Sequence, residues 1–250
     1  MREITSHTNE TVKMLRSLKQ KKYRDQHGLY IIEGEKTIAE AIAARQPFSC
    51  ILASEISPFV QQADQGGIDV VSVPYTVIEQ VSDTKSPPPV IACLQKTPAE
   101  VQGDFIVALD GLSDPKNVGT VIRTADAVGA SGVLVSADSA DFYGPKAQRA
   151  AMGSTFHIPV QICHLAERLH AFRQNGGFVV AGSLNGICEL PPLKDKRICV
   201  IIGNEAQGIS AEVHDLADAL YRIPIYGAAE SLNAGVAAGI ILYEVRRLKG

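Results

Sequence analysis

Ile202–Ser210 reads I-G-N-E-A-Q-G-I-S: the end of an apolar strand, a turn bearing Gly and Asn, and the start of a helix. Two further blocks share that plan. Leu109 to Ala130 upstream is L-D-G-L-S-D-P-K-N-V-G-T-V-I-R-T-A-D-A-V-G-A, and Ile223 to Ala237 downstream is I-P-I-Y-G-A-A-E-S-L-N-A-G-V-A. In open α/β sheets, the turns leaving the C-terminal ends of strands are where ligands bind. Three of them in this order predict one composite site.

Outward from these blocks, β-branched runs alternate with amphipathic segments. Residues 29–33, 49–53, 69–74 and 89–94 read as strands, with helices over 35–45, 58–65 and 75–82, giving a small α/β domain over residues 1–95. Residues 96–104 are polar, contain Pro98 and Gly103, and lack apolar periodicity, as a linker would. In the second domain, 105–250, strands are expected at 105–109, 132–136, 157–162, 177–183, 197–202 and 221–225. Helices are expected over 118–128, 165–174, 211–219 and 232–248. The alternation predicts an α/β fold, a mostly parallel sheet with helices on both faces.

The chain has 250 residues, 46% hydrophobic and 20% charged, an ordinary globular composition. Its formal charge of −3 does not advertise a polyanion partner, so any nucleic-acid contact must come from local basic patches. Cys50, Cys93, Cys163, Cys188 and Cys199 are scattered, odd in number and without a C-x-x-C pair. That pattern predicts reduced thiols in a cytoplasmic protein, not disulfides or zinc. The N-terminus lacks the apolar core of a signal peptide, and no apolar run approaches the roughly 18 residues of a membrane span. The six His are singletons without metal-ligand spacing, so no metal is expected.

A dinucleotide site, the obvious α/β function, fails on inspection. No G-x-G-x-x-G follows a strand and no G-x-x-x-x-G-K-[ST] occurs, which disfavours an oxidoreductase or a P-loop enzyme. Ser183 and Ser231 lack the G-x-S-x-G elbow of a serine hydrolase.

The three blocks instead resemble the signature motifs of the SpoU class of RNA 2′-O-ribose methyltransferases, in the SPOUT superfamily. The first is Asn117-Val118-Gly119-Thr120-Val121-Ile122-Arg123. The second is Ile202-Gly203-Asn204-Glu205-Ala206-Gln207-Gly208-Ile209, and the third is Ile223-Pro224-Ile225 followed by Ser231-Leu232-Asn233. Order and strand–turn–helix context agree over residues 105–248. The N-terminal I-I-E-G-E-K-T-I-A-E-A-I, Ile31 to Ile42, resembles the small substrate-binding domain that precedes this catalytic domain in many members. Ala234-Gly235 stands where Val-Ser is more usual; both pairs are small, so packing should differ and chemistry survive.

The resemblance implies a C-terminal deep trefoil knot, which general topology rules would not anticipate. It implies S-adenosylmethionine bound in that knot and a homodimer completing the active site. Cofactor contacts are expected from Gly203, Glu205, Gly208, Ile223, Leu232 and Asn233, in part through main-chain groups. Arg123, Asn117, Glu205, Ser231 and Asn233 are the expected catalytic group. A ribose 2′-hydroxyl is a weak nucleophile, so the protein must orient it and stabilise or remove its proton. Arg123 could act as the base often described for the family, or as a phosphate clamp that stabilises developing alkoxide charge; the clamp asks less of a guanidinium. Asn117 would hydrogen-bond near Arg123 or the ribose, Glu205 and Asn233 would fix the network, and Ser231 could contact the hydroxyl.

Each residue taken singly has a plainer reading. Arg123 could be a helix-surface residue paired with Asp126, Asn117 a helix cap, and Ser231 or Asn233 the cap of the last helix. Residues 13–24 add Lys13, Arg16, Lys19, Lys21, Lys22 and Arg24 around Tyr23 with no acidic residue. They read as a phosphate-tracking patch or as a solvated helix face. The family methylates ribosomal and transfer RNA, and the extra N-terminal domain favours ribosomal RNA. The rival reading is an RNA-binding or assembly factor that keeps the fold without methyl transfer.

Overall fold

A computed structural model describes residues 1–6 and 8–250, which divide into two compact units. The first comprises Met1–Thr97 together with Tyr143–Phe156, and the second Pro98–Phe142 with His157–Gly250. The return of 143–156 to the first unit has no signature in the linear pattern.

In the first unit the elements run β1 (Arg2–Glu3), α1 (Glu10–Ser17), α2 (Lys21–His27), β2 (Leu29–Glu33), α3 (Glu35–Ala43), β3 (Phe48–Ala53), α4 (Pro58–Gln65), β4 (Val70–Ser72), α5 (Tyr75–Val81) and β5 (Val90–Gln95). The sheet order is β1-β4-β3-β5-β2, with β5 antiparallel to both β2 and β3. Strand side chains alternate between faces. Accordingly Ile31, Leu52 and Ile91 pack with Leu15 of α1 and Ile78 of α5, while Tyr30, Ile32, Ile51 and Leu94 pack with Ile38 of α3 and Val60 of α4. Both faces are covered, so the strands read as continuous apolar runs.

The second unit runs β6 (Phe105–Asp110), α6 (Pro115–Ala127), β7 (Gly132–Ser136), then, after α7 (Pro145–Ala151) of the first unit, β8 (Val160–Cys163), α8 (Leu165–Gln174), β9 (Gly177–Ile187), β10 (Arg197–Gly203), α9 (Ala211–His214), β11 (Ala219–Tyr221) and α10 (Ala234–Lys249). Every neighbouring pair in the order β11-β9-β10-β6-β7-β8 is parallel. Ile106, Leu134, Val179 and Ile201 bury one face under Leu165 and Leu169 of α8 and Val213 of α9. Helices α6 and α10 pack on each other, and α10 also lies against β9 and β10.

The segment 96–104 is better anchored than its polarity implies. Val101 is fully buried, its N–H donating to Gln161 Oε1 at 3.0 Å and its carbonyl accepting from Arg168 Nη2 at 2.7 Å. The strand expected at 221–225 occupies Ala219–Tyr221 instead, and Pro224, which has no N–H for a ladder, lies outside it. The helix expected over 211–219 is a single turn. Among the described residues no helix is long and apolar enough to cross a membrane, and no group of three His, Cys, Asp or Glu could hold a metal ion. All five cysteines are free.

Candidate active site

The site begins where β6 and β10 end. Asp110 and Gly203 are paired across the two strands, and each strand then leaves the sheet in a tight turn. The first turn passes through Gly111 at φ 66°, whose N–H donates to Ser136 Oγ at 2.9 Å, and reaches α6 at Asp114. Asp114 caps that helix, its Oδ1 accepting from Lys116 N at 2.8 Å, with Pro115 opening the first turn. Asn117 is therefore an interior helix residue and not a cap. It is buried.

The second turn closes on itself. Asn204 and Gly208 exchange main-chain hydrogen bonds of 2.8 and 3.0 Å, and Asn204 Oδ1 accepts from Ala206 N and Gln207 N. Gly208 sits at φ 73°, a left-handed conformation that a side chain would strain. Gly203 is required for a different reason: a Cβ there would overlap the backbone of Gly208 and Ile209. Buried Asp110 holds the far end of the turn, its Oδ2 accepting from Ser210 N at 2.7 Å.

Glu205 projects from this turn onto the start of α6. Its Oε2 accepts from Ser113 Oγ at 2.8 Å and Ser113 N at 3.1 Å, and its Oε1 accepts from Asn117 Nδ2 at 2.9 Å and Asp114 N at 3.2 Å. Burial works against the charge, but the hydrogen bonds from Asn117 and Ser113 outweigh it and hold the carboxyl at about 2.

The third block closes the chain of contacts. Asn233 caps α10, its Oδ1 accepting from Gly235 N and Val236 N, while its Nδ2 donates to Asn117 Oδ1 at 3.1 Å. Asn233–Asn117–Glu205–Ser113 is thus one continuous hydrogen-bonded line through all three sequence blocks. At Gly235 a Cβ would lie 3.1 Å from Thr120 Cγ2, so glycine here allows the close approach of α10 to α6. Ser231 is exposed and is not the cap.

A cavity of about 410 Å³ opens between the turns. Gly203, Glu205, Gly208, Ile223, Ser231 and Leu232 line it, whereas Asn117, Arg123 and Asn233 do not. Sequence reading missed one wall, Gly182 to Asn185 at the C-terminal part of β9. The signal was available: this too is a small-residue strand end, but it resembles no phosphate loop. Missed as well were His214 in the wall and the buried side chain of Asp110.

Arg123 is exposed on α6, and among the described residues it has no hydrogen-bond or ion-pair partner. The pairing with Asp126 does not form, because Asp126 Oδ2 lies 2.8 Å from His157 Nδ1. The basic stretch divides. Lys13 pairs with Glu10 and Lys21 with Asp25, while Lys22 lies over the Tyr23 ring. Arg16 and Lys19 are exposed. Arg24 must be withdrawn as an RNA contact: it is buried, and its Nη1 donates to the carbonyls of Leu18 and Lys19 beyond the end of α1.

Comparison with known proteins accounts for this arrangement. Residues 104–243 match the SpoU rRNA Methylase family, and residues 9–92 match the MRM3-like substrate binding domain. The chain is 32% identical over 248 residues to the 23S rRNA (guanosine(2553)-2′-O)-methyltransferase RlmP of Bacillus subtilis, covering 98% of this chain and 100% of the relative. An AdoMet-bound rRNA methyltransferase from Sinorhizobium meliloti superposes with a TM-score of 0.89 at 34% identity, covering 98% of this chain and 97% of that one. The SpoU methyltransferase AviRb from Streptomyces viridochromogenes, in complex with AdoMet, gives 0.85 at 28%, with 96% and 97% covered. Three strand-end turns joined by one hydrogen-bonded line, in a chain matched across both domains, mean that the protein belongs to the SpoU rRNA methylase family of RNA 2′-O-ribose methyltransferases.

Proposed function

We propose that the protein transfers the methyl group of S-adenosylmethionine to a ribose 2′-hydroxyl of ribosomal RNA, acting in the cytoplasm as a homodimer. The observation that carries this reading is the Asn233–Asn117–Glu205 line at the edge of a cavity built from three strand-end turns. Backbone-rich walls at Gly203 and Gly208 and a volume of about 410 Å³ fit a nucleoside-sized cofactor. The Ile223 and Leu232 walls would hold its apolar parts. The knot implied by the family resemblance belongs to this proposal. When bound, the cofactor supplies an electrophilic sulfonium methyl.

The side chains divide the remaining work. Arg123, exposed and without a carboxylate partner among the described residues, would clamp an RNA phosphate and stabilise negative charge developing on the ribose oxygen. Asn117 is locked from both sides and keeps the face of α6 in register with the second turn. Glu205, ionised and saturated with donors, is an organiser and not a proton acceptor near neutral pH. Ser231, exposed at the cavity wall, is the hydroxyl free to meet the substrate. Lys13, Arg16, Lys19, Lys21 and Lys22 of the first unit are proposed to track RNA phosphates.

The homodimer rests on α10. Val236, Ile240 and Tyr243 form an exposed apolar stripe, on the side opposite buried Ala238, Ile241, Leu242 and Val245. A second copy of the same helix is the partner whose chemistry matches it. The decisive experiment maps 2′-O-methyl positions in total RNA from cells with and without the protein. One ribosomal position should lose its methyl group and regain it on complementation. A methylation map identical in both would leave the RNA-binding-factor reading standing.

A further inference from the structure

The second turn is joined to the first by three side chains, and only one of them, Glu205, belongs to the proposed catalytic group. Asp110 holds the far end through Ser210 N. Asn204 holds the near end: its Nδ2 donates to the carbonyl of Gly111 at 2.6 Å, while its Oδ1 accepts from Ala206 N and Gln207 N. The two halves of this amide therefore do different things. The oxygen shapes the turn that lines the cavity. The nitrogen reaches across to the strand end that leads into α6, the helix of Asn117 and Arg123.

We infer that Asn204 is a positioning residue for methyl transfer, its Nδ2–Gly111 contact fixing the α6 side of the site relative to the cofactor turn. The geometry on the Gly111 side supports this. Gly111 is left-handed, at φ 66°, and the N–H of Leu112, which shares a peptide plane with the Gly111 carbonyl, donates to buried Ser139 Oγ at 3.0 Å, so the direction of that carbonyl is fixed. At 2.6 Å the contact lies at the short end for N–H···O, and its acceptor is a backbone atom that cannot swing to follow a displaced partner. A near-attack geometry is sensitive to displacements well below the size of an atom, so loss of this tether acts on the chemical step.

The inference rests on the methyl-transfer reading, and the experiment separates the two. Asn204→Asp keeps an oxygen for the Ala206 and Gln207 amides but sets an acceptor against the Gly111 carbonyl. In single-turnover assays at saturating RNA and S-adenosylmethionine, this variant should slow transfer by roughly tenfold to a hundredfold. Its cofactor affinity, by calorimetry, should stay within about threefold of wild type, since the turn's own hydrogen bonds remain. Asn204→Ala should lose both rate and affinity. Gly111→Ala strains the left-handed backbone from the other side, and combined with Asn204→Asp its effect on the rate should be far from additive. Wild-type transfer by a folded Asn204→Asp protein would overturn the inference. So would a defect confined to cofactor affinity, or strict additivity with Gly111→Ala. A wild-type protein that transfers no methyl group would instead overturn the parent reading.

Discussion

Arg123 and Glu205 show how differently two residues of one motif set are constrained. Arg123 touches no protein partner among the described residues, so replacing it should leave the fold intact. Arg123→Ala is expected to slow single-turnover methyl transfer by about a hundredfold or more, the scale for loss of one positioned transition-state donor. Cofactor affinity should barely change, and Arg123→Lys should recover little because an ammonium lacks the planar fork. Near-wild-type transfer by the Ala variant would return Arg123 to the status of a surface residue. Glu205 is the opposite case, held by four donors and with its carboxyl depressed from 4.5 to about 2. A depressed folded pKa contributes stability that is complete above the unfolded value and is lost as pH falls through the folded one. The melting temperature gap between wild type and Glu205→Gln should therefore be constant above pH 4.5 and shrink between 4.5 and about 2. A gap that widened toward acid would contradict the hydrogen-bonded carboxylate. Both motif residues were legible in the sequence. The buried neighbours Asp110 and Ser136 were not, since an Asp or Ser at a strand end has no linear mark that tells burial from exposure.

At the scale of elements, the two glycines of the second turn look alike in sequence and differ in kind. Gly208 needs its left-handed φ but has open space around a Cβ, whereas Gly203 has no room for one. Gly208→Ala should cost about 1–2 kcal/mol through backbone strain alone, leaving a turn that still binds S-adenosylmethionine weakly. Gly203→Ala must displace the Gly208 carbonyl and should abolish cofactor binding while the rest of the fold melts cooperatively. Calorimetric titration of both variants checks the order, and equal affinities would refute it. Element boundaries followed the same division between local and distant causes. The strand at Gly132–Ser136 falls where its β-branched run lies. The strand expected over 157–162 starts at Val160 instead, after Pro159, which has no N–H for a ladder, while His157 is engaged by Asp126 on α6, a partner supplied from far along the chain. Asn117, whose plainer reading taken alone was a helix cap, is interior because Asp114, three residues earlier, takes that position.

For the whole molecule the exposed stripe of α10 carries the prediction. Wild type should sediment as a dimer at micromolar concentration, and Val236→Glu combined with Tyr243→Glu should give a folded monomer with severely reduced methyl transfer. A monomeric wild type with full activity would remove the dimer from the mechanism. In the first unit, reversing Lys19 and Lys22 to Glu should raise KM for RNA several-fold and flatten its salt dependence, with kcat unchanged. Arg24→Ala should act on thermal stability instead, because its guanidinium ties α2 to the carbonyls of Leu18 and Lys19. An effect of Arg24→Ala on RNA affinity alone would reverse that assignment. The α/β class, the parallel character of the second sheet and the three blocks of the site are legible in residue order, since periodicity, strand-end turns and motif order are local properties of the chain. Packing settles the rest: that Arg24 is the buried basic residue, that Asp126 claims His157, and that Asn233, Asn117 and Glu205 form one line. The last two depend on contacts between residues 31, 88 and 116 positions apart, which no local pattern encodes.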